Sequence, residues 1–224
     1  MATPTKKKEA KHVFALPEGR LINHSLFERD AYTPERGAPG KPMYKVELAF
    51  DKNQIEGEGT IEDELLKAAL EEWGDTKLIE DEFFNGTIRV PFIDGDTLAK
   101  KRAEKGKDGS AYKGKWIIRA STSFNKEGTE GPGGIQVFNE NVEPVGLTLG
   151  NVDQVYNGCY GIAAVTISAG RDVGSDDKHT KFWLSAFQKT KDGEKLVSAR
   201  DASTLFKPVG RTEGAAEGRR SRRG

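Results

Sequence analysis

Residues 44–50 read "YKVELAF", and the order of their side chains settles what kind of fold to expect. Tyr44, Val46, Leu48 and Phe50 alternate with Lys45 and Glu47, a period of two that places the apolar groups on one face of an extended strand. The pattern recurs along the chain: Ile88, Val90 and Phe92 in "TIRVPF", Trp116, Ile118 and Ala120 in "KWIIRAS", Ile162, Ala164, Val165 and Ile167 in "GIAAVTI", and Phe182, Leu184 and Ala186 in "KFWLSAF". Between these stretches lie segments rich in turn formers, such as "PERGAPGKP", "NKEGTEGPGG" and "KDGEK". One stretch breaks the rule. "TIEDELLKAALEEWG" spaces Ile61, Leu65, Ala69 and Trp73 four residues apart, with Thr60 as N-cap, acids in the first turn and Gly74 as a stop. The expectation is a mainly β chain with one prominent α-helix, built as an antiparallel barrel or sandwich. Strand and helix signals do not alternate, which argues against a doubly wound nucleotide-binding fold.

A chain of 224 residues with 35% hydrophobic content can form one substantial core. Residues 1–12 and 209–224 hold almost no large apolar side chains to offset the entropy of ordering. They read as flexible basic arms around a folded body at 13–208. No apolar run approaches the roughly 20 residues that cross a bilayer, and "MATPTKKKEAKH" has no apolar signal core, so a soluble, unexported protein is expected. A single cysteine, Cys159, flanked by apolar residues, reads as a buried small hydrophobe in a reducing compartment.

The chain carries 35 basic and 35 acidic side chains, yet the signs are segregated. Ile55–Glu82 holds eleven acids against Lys67 and Lys77. Leu98–Arg119, "LAKKRAEKGKDGSAYKGKWIIR", holds eight bases (Lys100, Lys101, Arg102, Lys105, Lys107, Lys113, Lys115 and Arg119) against Glu104 and Asp108. Within it "GSAYKGK" matches half of a phosphate-binding P-loop, but Trp116 stands where Ser or Thr is needed, and a strand follows instead of a helix. His12, His24 and His179 share no ligand spacing, and no nucleophile or carboxylate constellation stands out. The residues therefore name no catalytic group, no metal site and no cofactor. What they do name is a polyanion with free bases, because lysines neutralise phosphate while exposed rings accept unstacked bases. Alternation puts Lys115, Ile117, Arg119 and Ser121 on one face of their strand and Trp116 on the core side. Tyr112, inside the basic run, is the foremost stacking candidate. Tyr156, Tyr160 and Trp183 lie on strands or their edges, where packing is the simpler role.

The ordered segments "GRLINHSLFERD", "KPMYKVELAFDK", "VPFIDGDTLAKKRAEKGKDGSAYKGKWIIRASTS", "YNGCYGIAAVTISAG" and "FWLSAFQKTKDGEKL" together resemble a family of bacteriophage single-stranded DNA-binding proteins over about residues 19–208. That resemblance implies an OB-fold, a small closed barrel, and sequence-independent binding of single-stranded DNA in phage replication and recombination, in the cytoplasm of the bacterial host. It also implies that Lys100–Lys113 form a loop beside the binding groove and that Lys115 and Arg119 floor it; Tyr160 and Trp183 stand with Tyr112 as candidate stacking contacts on the reading of the residues alone. Weak duplex binding, replication proteins and self-association are left open as further partners, and no membrane is expected. The alternatives are an RNA-binding module of the same fold and a non-enzymatic assembly protein. One departure is visible: many proteins of this functional type end in an acidic tail, whereas this chain ends "EGRRSRRG". Such a tail suits added contacts to nucleic acid, or docking on the acidic region of another copy.

Overall fold

The computed structural model describes residues 13–31, 39–74, 76–130, 132–146, 154–172 and 174–196. The basic arms at 1–12 and 209–224 and the end of the expected body lie outside these residues. The described elements run β1 (Val13–Ala15), β2 (Gly19–Asp30), β3 (Met43–Asp51), α1 (Ile61–Trp73), α2 (Lys77–Phe84), β4 (Phe92–Asp94), α3 (Gly95–Glu104), β5 (Lys115–Thr122), β6 (Gln136–Phe138), β7 (Tyr160–Arg171) and β8 (Lys178–Lys191). The described residues are thus mainly β, with an eight-stranded sheet and three α-helices.

Strand pairing follows a circuit. β2 pairs with β3, β3 with β5, β5 with β8, β8 with β7, and β7 again with β2, while β1, β4 and β6 attach to β7, β5 and β8. Most pairs are antiparallel, as expected, but β5–β8 and β6–β8 are parallel. The alternation at 44–50 does what its period requires: Tyr44, Val46, Leu48 and Phe50 are buried in the main core with Ile118, Ala120, Val165 and Phe182. Each large apolar side chain so buried contributes about 1.5–3 kcal/mol relative to exposure. α1 lays Ile61, Leu65 and Ala69 into the same core and ends at Gly74 (φ +99°), matching the expected helix residue for residue.

Three expectations need correction. In "TIRVPF" only Phe92 lies in a strand; Pro91, which has no N–H to donate, interrupts the run, and Arg89 makes an isolated bridge with His179. α2 was not foreseen, since its apolar Ile79 and Phe83 are flanked by acids and by exposed Leu78 and Phe84. α3 takes the first part of the expected Lys100–Lys113 loop, up to Glu104, while Lys105–Lys113 form the turn behind it. Asp94 caps the helix by accepting from the Asp96 N–H, and Lys101 and Arg102 complement the partial negative charge of its last turn. Gly95 lets it sit close: a Cβ there would lie 2.0 Å from the Tyr112 carbonyl oxygen.

Candidate nucleic-acid interface

The pairing register arranges the outer face of the sheet in rows. Tyr160, Arg20, Ala49 and Ile117 stand side by side across β7, β2, β3 and β5. Asn23, Glu47 and Arg119 form the next row, and Ser25, Lys45, Ser121 and Trp183 the third. As the alternation implied, Lys115, Arg119 and Ser121 share this face. Ile117 shares it too but is fully covered, because α3 and the turn behind it pack there: Ala99 and Tyr112 join Ile22, Ala49 and Ile117 in a second small core.

That packing overturns the proposed role of Tyr112. Its ring is 8% exposed, sealed beneath the Arg102 guanidinium, whose centre lies 4.9 Å from the ring centroid. Burial raises the phenol pKa, against the opposing influence of Arg102. A ring so covered has no face to offer a base. Arg102 is itself tied down, its Nε donating to the Asp108 carbonyl oxygen at 2.7 Å, so the turn after α3 is a fixed extension of the helix.

The lysines behave differently. Lys100, Lys101, Lys105, Lys107 and Lys113 are exposed, and none takes part in an ion pair among the described residues. Lys115 and Arg119, in contrast, are already matched: Lys115 by Asp51, and Arg119 by Glu47 at 2.7 Å. An incoming anion meets uncompensated charge at α3 and must compete with a carboxylate at β5. The described acids of Ile55–Glu82 fall on α1, α2 and their approaches, so the two signs occupy different elements.

Tyr160 and Lys115 line one cavity together with Arg20, which the sequence reading did not single out. Arg20 is oriented by its Nη2 donating to the Glu194 carbonyl oxygen at 3.0 Å. Tyr160 is half-buried, with the Lys191 ammonium 4.5 Å from its ring centre. Trp116 packs edge-on against Phe92, 5.1 Å between centroids, and its Nε1 donates to Glu56, consistent with the core-side role expected of it. Trp183 lies apart from the α3 lysines, at the far row, where it lines a different cavity with Phe124 and Lys126. Phe124 was missed as well; the available signal was an aromatic ring standing just past a strand in the turn-rich "STSFNKEG". No group of three or more His, Cys, Asp or Glu placed to hold a metal ion occurs among the described residues, and no helix there is long and apolar enough to cross a membrane.

A mainly β fold with an outer face framed by unpaired lysines and half-buried rings defines the general class. The chain belongs to the family described as the Enterobacter phage Enc34 ssDNA-binding protein, whose model matches residues 19–217. Solved structures share the fold. The single-stranded DNA-binding protein of bacteriophage Enc34, as a C-terminal truncation, is 18% identical with a TM-score of 0.55, covering 88% of this chain and 99% of that one. The same protein in complex with ssDNA is 18% identical with a TM-score of 0.51, covering 85% and 97%. The single-stranded DNA-binding protein gp2.5 encoded by bacteriophage T7 is 13% identical with a TM-score of 0.52, covering 90% and 98%. Comparison with curated proteins gives no match.

Proposed function

We propose that this chain is a sequence-independent single-stranded DNA-binding protein of a bacteriophage, serving DNA replication and recombination in the host cytoplasm without a catalytic step of its own. The observation that carries this reading is the set of five exposed lysines around the end of α3 that take part in no ion pair among the described residues. Uncompensated charge of this kind is what a phosphate backbone neutralises, with release of its counterions. Family membership supports the reading. The β2–β3–β5–β8–β7 circuit with its parallel β5–β8 pair supports a five-stranded OB-fold barrel. In that reading the strand runs from the α3 lysines across Arg119 toward Trp183.

The test is fluorescence anisotropy of a labelled poly-dT oligonucleotide with the full chain at two salt concentrations, with unlabelled duplex DNA and poly-U as competitors. Binding that weakens with salt and is displaced best by poly-dT is the expected result. Absence of binding at low salt overturns the reading, and preferential displacement by poly-U replaces it with RNA binding.

A further inference from the structure

A cavity of about 560 Å³ opens between the end of β5, the loop that follows it and β8. Phe124 and Trp183 stand in its wall, and Phe124 is 45% exposed, an unfavourable position for a large apolar ring with nothing over it. The ring does not reach this position by accident of a loose loop. Buried Asn125 organises the turn: its Oδ1 accepts from the backbone N–H of Glu127 (3.0 Å) and of Thr129 (3.1 Å), and its Nδ2 donates to the Pro132 carbonyl oxygen (3.0 Å). Such a turn presents Phe124 in one place and reduces the ordering entropy that binding would otherwise cost. Across the cavity the Trp183 ring is oriented by its Nε1 donating to Ser168 Oγ at 2.7 Å.

A second cation stands on the Trp183 ring, beside the residues that line the cavity. The half-buried Lys181 ammonium lies 3.9 Å from the Trp183 ring centre and is in no ion pair among the described residues. Burial and then the nearby charge of Lys41 push its pKa down. An anion placed there supplies the counter-charge that Lys181 lacks among the described residues. Exposed Lys126 flanks the opening, and Ser121, paired with Trp183, continues the face that carries Arg119.

We infer that this cavity is a nucleotide subsite, in which one unstacked nucleobase rests against Phe124 and Trp183 while an adjoining phosphate contacts Lys181 and Lys126. The inference rests on the single-strand reading above and deepens it: the strand has a fixed anchor at the far row, in addition to diffuse attraction at α3. The polar groups that surround the base, Gln136 among them, make contact with its edge.

The test uses the full chain and dT oligomers carrying one 5-iodo-deoxyuridine, cross-linked by light and mapped by mass spectrometry. Cross-links to Phe124 or Trp183 are expected. In parallel, Phe124→Ala should weaken oligomer binding about 5- to 150-fold, the usual effect of losing one stacking ring, and Lys181→Gln should reduce the salt dependence. Cross-links confined to the α3 side, with both variants binding as the wild type does, overturn the subsite and leave single-strand binding intact. A wild-type chain that binds no oligomer overturns the single-strand reading itself.

Discussion

The Arg102 guanidinium caps the Tyr112 ring, 4.9 Å from its centre, and by doing so turns the most conspicuous aromatic of the basic run into part of a core. The ring joins Ile22, Ala49, Ala99 and Ile117, and holds α3 against the sheet. Tyr112→Ala should therefore destabilise the protein by about 3 kcal/mol, the low end for removing a large buried aromatic. Tyr112→Phe, which keeps the ring, should leave oligonucleotide affinity unchanged. Urea unfolding and anisotropy on the two variants check this; a stable Ala variant with selectively lost DNA binding would restore the stacking role.

The unpaired lysines have the opposite profile. Replacing Lys100, Lys101, Lys105, Lys107 or Lys113 by Ala removes no ion pair within the described chain, so stability should change by no more than about 0.5 kcal/mol. Each lysine that contacts phosphate should lower the slope of log affinity against log salt by about 0.7. Titrations at four salt concentrations measure the slope, and five unchanged slopes would make the run ordinary solvated surface.

His24 couples stability to pH. It faces the interior beside Val46, its Nδ1 is buried with no hydrogen-bond partner among the described residues, and burial holds its pKa below the ordinary 6.5. Protons bind the unfolded chain more readily than the folded one, so this contribution to stability is complete above pH 6.5 and is lost as pH falls from there toward the depressed folded value. His24→Leu should flatten the decline in urea midpoint between pH 7.5 and 5. The same decline in both proteins would assign it to other groups.

Cys159 is fully buried, and burial raises its thiol pKa. Iodoacetamide should leave the native protein unmodified and label it quantitatively in denaturant, as followed by intact mass. Rapid labelling of the native chain would contradict the placement of Cys159 beneath β2, where its carbonyl oxygen accepts from the Leu21 N–H at 2.8 Å.

What the sequence determined by itself was periodicity and its local consequences. Tyr44, Val46, Leu48 and Phe50 were bound to face one way, and Ile61, Leu65 and Ala69 another, because side-chain direction follows backbone geometry within a few residues. The shared face of Lys115, Arg119 and Ser121 was legible for the same reason. α3 was less so, although Asp94, Lys101, Arg102 and Gly106 are sound start and stop signals, since Leu98 and Ala99 offer almost no apolar stripe. Only the tertiary structure decided which cations are free, because Asp51 and Glu47 reach Lys115 and Arg119 from a neighbouring strand more than sixty residues away. It also decided which rings are covered: Tyr112 lies beneath a helix whose docking depends on Gly95, while Phe124 stays open on a turn that buried Asn125 organises. Burial and ion pairing are properties of surfaces brought together across the chain, and no local spacing encodes them.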